Sequence, residues 1–139
     1  MLKIRIIPIL LWNGSTLVKG QNFINEKRSA GSPLPTIKIY NSRDVDEIVF
    51  FNISNNTYDR NYFDFVKEIT DCVNVPITIG GGITNIDQMD QLFNSGADKI
   101  SINSIIYSNP KIIDVSSKKF GSQAITVSID VKKINNTYK

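Results

Sequence analysis

Five short runs of β-branched and other apolar residues alternate with longer amphipathic stretches, and this alternation narrows the fold more than any other feature of the chain. Ile4 to Leu11, Ile48 to Ile53, Val75 to Ile79, Lys99 to Asn103 and Ala124 to Val131 are bounded by turn-forming residues and read as strands one to five. Between them, Asp59 to Cys72, Ile86 to Asn94 and Pro110 to Phe120 carry apolar residues at helical spacing. Leu34 to Tyr40 is shorter and carries Pro35, so it reads as a weak helix or a loop. Ser32-Pro33, Asn85 with Asp87, and Ser108-Asn109-Pro110 supply helix-start signals. Right-handed crossovers turn such an order into a parallel sheet with helices outside.

Two architectures share that pattern, a doubly wound open sheet and a (β/α)8 barrel. Alternation places Lys99, Ser101 and Asn103 on one face of strand four, and Thr126, Ser128 and Asp130 on one face of strand five. A helix-covered open sheet wants both faces apolar, whereas a barrel holds polar groups towards its mouth and floor. The expected fold is therefore the N-terminal half, plus the fifth strand, of a (β/α)8 TIM barrel. A complete barrel takes about 250 residues, and this chain of 139 ends just after its fifth strand. One partial domain spanning residues 1–139 is expected. With open strand edges and an apolar interior, it would close by self-association or with a second half-barrel.

Composition then removes whole classes of chemistry. The chain has no histidine and one cysteine, Cys72, which excludes disulfide frameworks and Ser/His or Cys/His nucleophile pairs and leaves no metal site or cofactor to expect. Sixteen basic residues against thirteen acidic ones are scattered in pairs at most, so no nucleic-acid patch is read. Met1 to Trp12 is apolar but broken by Lys3, Arg5 and Pro8, too short for a membrane span; a cytoplasmic location is expected.

Chemistry must rest on carboxylates, lysines, amides and backbone. Ile79-Gly80-Gly81-Gly82-Ile83 ends strand three, and glycine backbone N–H groups such as those of Gly81 and Gly82 can approach a phosphate closely; a tight strand-to-helix turn is the alternative. Asn103 and Ser104 end strand four beside it, as phosphate donors or loop caps. Asp130 closes strand five, where barrel enzymes place catalytic groups, as a general acid or base or else in an ion pair with Lys132 or Lys19. Lys19, after strand one, either reaches over the mouth or is simply solvated. At the opposite strand ends stand Arg5, Glu47 and Lys99, which read first as a structural ion-pair cluster on the barrel floor.

Taken together, Arg5-Ile6-Ile7, Leu17-Val18-Lys19-Gly20, Asp46-Glu47-Ile48-Val49-Phe50, Gly80-Gly81-Gly82-Ile83, Gly96-Ala97-Asp98-Lys99-Ile100-Ser101-Ile102-Asn103, Asn109-Pro110, Phe120-Gly121-Ser122-Gln123-Ala124 and Ser128-Ile129-Asp130 resemble, in order, segments of the cyclase subunit family of imidazole glycerol phosphate synthase. The resemblance implies a synthase that takes ammonia from a glutaminase subunit and adds it to a phosphorylated, nucleotide-type substrate. It implies an ammonia gate at Arg5, Glu47 and Lys99, phosphate contacts at Gly82, Asn103 and Ser104, a mobile-loop lysine at Lys19 and a catalytic aspartate at Asp130. Two departures stand out. Leu11 occupies the place of the family's other catalytic aspartate, and Asn52 replaces an aspartate at the end of strand two. Ile7-Pro8-Ile9-Leu10-Leu11 and Ile129-Asp130-Val131-Lys132-Lys133 resemble a branch associated with surface-polysaccharide genes, which implies amidation of a sugar. A histidine-pathway cyclase and a non-catalytic half-barrel that binds phosphate or a partner are the alternatives.

Overall fold

Alternate residues of a strand face opposite ways, and this chain uses the two faces differently. The computed structural model describes residues 3–20, 28–54, 58–131, 133–135 and 137–138. Seven strands form one sheet: β1 (Ile9–Trp12), β2 (Leu17–Lys19), β3 (Arg28–Gly31), β4 (Ile48–Asn52), β5 (Ile77–Gly80), β6 (Lys99–Ile102) and β7 (Ile125–Val127), in the order β3-β2-β1-β4-β5-β6-β7. β1, β4, β5, β6 and β7 run parallel, while β2 and β3 form an antiparallel flap on the β1 edge. Helices α1 (Pro33–Ser42), α2 (Arg60–Thr70), α3 (Ile86–Asn94), α4 (Ile105–Ser108) and α5 (Lys111–Phe120) fill the crossovers, and β8 (Lys133–Ile134) and β9 (Thr137–Tyr138) make a separate ribbon. The five parallel strands and their crossovers are the first half, plus one strand, of a (β/α)8 barrel.

The core lies between sheet and helices. Ile48, Phe50, Ile77, Ile79 and Ile100 are wholly buried on the outer sheet face, against Ile37, Val66, Ile69, Met89, Leu92 and Ile112 from the helices. Each such side chain contributes roughly 1.5–3 kcal/mol of burial. The opposite, inner face is organised in register rows. Ile9, Val49, Thr78 and Lys99 form one, and Leu11, Phe51, Gly80, Ser101 and Thr126 the next. This face is more open, with Ile9 60% exposed where Phe50 is fully covered.

Several elements differ from expectation. Residues 4–8 run up to β1 without forming a ladder, and Pro8 has no N–H to give; their backbone–backbone bonds to the stretch that opens β4 are Asp46 N to Ile6 O and Val49 N to Pro8 O. Leu34 to Tyr40 belongs to a regular helix, since Pro33 and Pro35 both sit in its first turn, where backbone N–H groups have no intrahelical partner anyway. Strand five is confined to Ile125–Val127, at the edge of the sheet and paired among the described residues only with β6, and residues 122–124 form a 3-10 turn. Neither hairpin was expected. α3 has its expected bounds, with the Asn85 side chain accepting from Gln88 N at its start. Among the described residues no helix is long and apolar enough to cross a membrane, and no three metal-ligating side chains converge.

Candidate active site

At the N-terminal ends of the parallel strands, three elements close on one carboxylate. Glu47 directly precedes β4 and is 5% exposed. Its Oε2 accepts from Arg5 Nη2 at 2.9 Å and from Lys99 Nζ at 2.8 Å, and its Oε1 accepts from Thr78 Oγ1 at 2.6 Å. Arg5 is delivered by the segment before β1, which Ile6 N ties to Asp46 Oδ2 at 2.7 Å. Lys99 and Thr78 arrive from neighbouring strands in register. Thr78 escaped the sequence reading, although period-two alternation puts it on the same face as Lys99.

Burial, the largest single influence, pushes the Glu47 carboxyl up, but the hydrogen bonds from Lys99, Thr78 and Arg5 and the Lys99 charge together hold it below the ordinary carboxylate range. A lowered folded-state value stabilises the fold above the unfolded value of about 4.3 and is lost as pH falls through the lowered one. Urea unfolding followed from pH 6 downwards is therefore expected to find Glu47→Gln less stable than the parent at pH 6 and converging on it in acid. Parallel curves would show that this carboxylate carries no pH-linked stability.

At the other ends of the strands, β5 runs into the three glycines. A Cβ on Gly80 would lie 2.8 Å from both the Phe51 ring and Ser101 O, and one on Gly81 would lie 2.0 Å from Asn52 O. Close backbone approach thus accounts for these two. Gly82 differs: at φ +69° its Cβ position is open, with only Tyr58 Cε2 at 3.9 Å. The Tyr58 hydroxyl donates to Gly81 O, and burial pushes that phenol far up, so it stays protonated as a donor. Tyr58 went unnoticed in the sequence because nothing local marks an aromatic before a helix cap as a partner of a distant loop.

Asn103 follows β6, and its Nδ2 donates to Asp130 Oδ2 at 2.9 Å beyond β7. The structure therefore joins these two expected site residues. It does not pair Asp130 with Lys19, and the alternative partner Lys132 lies outside the described residues. Ser104 is exposed at the start of α4 without a side-chain capping bond. Lys19 is exposed in β2, its backbone paired with Arg28 of β3. Among the described residues no hydrogen bond or ion pair links Lys19, Gly82 or Ser104 to Asp130. Leu11, half-buried, stands in the same register row as Gly80 and Ser101, so the end of β1 offers the mouth no titratable group. Asn52 is buried and turns the chain, its Oδ1 accepting from Ser54 N at 2.9 Å and Ser54 Oγ at 2.6 Å.

The sequence profile of the family described as "Histidine biosynthesis protein" matches residues 5–139. A relative from Helicobacter hepaticus, named "Imidazole glycerol phosphate synthase subunit HisF", is 46% identical over 132 residues, covering 94% of this chain and 52% of the relative. Relatives of the same name from Bacteroides thetaiotaomicron and Flavobacterium johnsoniae are each 43% identical over 140 residues, covering 100% and 99% of this chain and 55% of each relative. The chain spans about half the length of the curated relatives it matches.

Proposed function

We propose, from the premise that this chain belongs to the histidine biosynthesis protein family, that it supplies the N-terminal half of an ammonia-using cyclase subunit of imidazole glycerol phosphate synthase. The observation that carries this reading is the division of the parallel strands between two chemical ends. One end holds Glu47 between Arg5 and Lys99; the other holds Asp130 against Asn103 after β6, and the open backbone of Gly82 after the adjacent β5.

In this reading Glu47, Arg5, Lys99 and the additional Thr78 form the ammonia gate, which passes a neutral amine when a cation lets go of the carboxylate. The Gly82 amide with Asn103 and Ser104 takes the phosphate of the substrate, with Gly81 shaping the loop and Lys19 adding charge from the flap. Asp130 acts as general acid or base. A glutaminase subunit supplies the ammonia, and a second half-barrel covers the inner sheet face.

Leu11 had favoured amidation of a sugar. The relatives matched over nearly the whole chain carry the name of the histidine-pathway subunit, and this supports the cyclase reading instead. Leu11 leaves Asp130 as the single carboxylate that the described residues contribute to the proposed reaction centre.

The test uses the chain joined to the remaining half of the Helicobacter hepaticus relative. With ammonium salt it should convert the imidazole precursor to imidazole glycerol phosphate. Lys99→Ala should lower glutamine-driven turnover about tenfold or more while ammonium-driven turnover holds, because ammonium enters from solvent. Absence of product would overturn the cyclase reading, and equal loss of both activities would make the floor cluster structural.

A further inference from the structure

We infer that Tyr58 is a positioning residue for phosphate, its hydroxyl locking the Gly81–Gly82 peptide so that the Gly82 amide N–H points away from the helical layer. The inference rests on the phosphate role proposed above for Gly82.

A trans peptide holds its C=O and N–H in opposite directions, and the described residues contain no cis peptide. The direction of the Gly81 carbonyl therefore dictates that of the Gly82 N–H. The Gly81 Cα is pinned by the Asn52 backbone, but the peptide plane beyond it is not. Gly81 and Gly82, at φ +98° and +69°, are both free to trade angles, so the plane between them can turn over with little steric resistance. Turned over, it would present a carbonyl oxygen where the phosphate oxygens arrive.

One hydrogen bond opposes that turn. The Tyr58 hydroxyl donates to Gly81 O, and no other donor reaches that oxygen among the described residues. The ring itself cannot swing away easily: it stands edge-on to Tyr62 at 5.0 Å and lies against Phe63 at 6.0 Å, both in the first turn of α2. The first turn of α2 is in turn fixed by Asp59 Oδ1, which accepts from Tyr62 N at 2.9 Å. A phenol just ahead of the α2 cap, packed on the first turn of that helix, thus sets the orientation of a peptide in the loop after β5. Without the hydroxyl, only the fraction of molecules with the correct peptide would bind, and apparent affinity would fall by that fraction.

The experiment titrates inorganic phosphate into the 139-residue chain and into Tyr58→Phe, following backbone amide signals by NMR. The parent should bind with the Gly82 amide among the signals that move. Tyr58→Phe should bind about fivefold more weakly, the shift that losing one hydrogen bond of ordinary net strength permits. Placing 4-aminophenylalanine at position 58, which restores a donor, should recover most of that loss. A purely structural role would lower the melting temperature of Tyr58→Phe and leave phosphate affinity, measured well below it, unchanged; that result overturns the inference while leaving the phosphate site standing. No binding by the parent would overturn the phosphate reading and the inference with it. Should the phenylalanine variant not fold, the parent still decides: a Gly81 carbonyl signal that keeps its hydrogen-bonded position on saturation supports the lock, and one that loses it overturns the lock.

Discussion

Gly81→Ala is expected to destabilise the fold by about 4 kcal/mol, a large share of the 5–15 kcal/mol typical of a domain. Two effects add. The added Cβ would meet Asn52 O at 2.0 Å, Asn52 C at 2.8 Å and Asn52 N at 2.9 Å, all backbone atoms of a buried strand end that no rotamer change can move. The residue also sits at φ +98°, outside the well that alanine favours. Gly82→Ala is the control, with open space at its Cβ and φ +69°, close to the left-handed region; its penalty should be about 1–2 kcal/mol. Urea unfolding of both variants measures the contrast. Equal destabilisation would mean that the Asn52 contact is not what makes the second glycine necessary.

Asp130→Asn is expected to lower turnover in the completed barrel by about 10²–10⁴-fold, the range for losing a positioned general acid or base. The substitution preserves shape. Its amide oxygen can still accept from Asn103 Nδ2, which now lies 2.9 Å from the carboxylate, so the loop geometry is retained and only charge and proton transfer are lost. Phosphate affinity should be nearly unchanged, because among the described residues Asp130 makes no bond to Gly82 or Ser104, and Asn103, the one phosphate-site residue it does hold, keeps an acceptor in the asparagine oxygen. Unchanged turnover would remove Asp130 from the chemistry. With Leu11 at the end of β1, the described residues place no second carboxylate in the proposed site to share its work, so the loss should not be masked.

How much of this could be read in advance differs from element to element. α3 was legible to its ends because Asn85, Asp87 and the spacing of Met89 and Leu92 state cap, dipole and buried face in adjacent residues. α1 was obscured because prolines look like breakers unless the helix start is known. The β2–β3 flap was invisible: three and four residues long, with β3 exposed throughout, it has no alternation to detect. At the site, the floor charges were legible as a strand-end ion-pair cluster, whereas the choice of a single Glu47 oxygen by both cations depends on register, which no local signal carries. The same holds for Thr78 and Tyr58, each joined to its partner across 31 and 23 residues respectively.

The flap has a consequence for how Lys19 could serve the mouth. Its backbone lies in a ladder, behind the rungs Leu11–Val18 and Trp12–Leu17, with Leu17 and Val18 buried beneath it. The lysine is therefore stitched to the sheet edge, and the seam must unpick before its ammonium can swing far. Each rung released would expose apolar surface as well as break backbone bonds, so the stability of the flap sets the cost of freeing Lys19 from the edge.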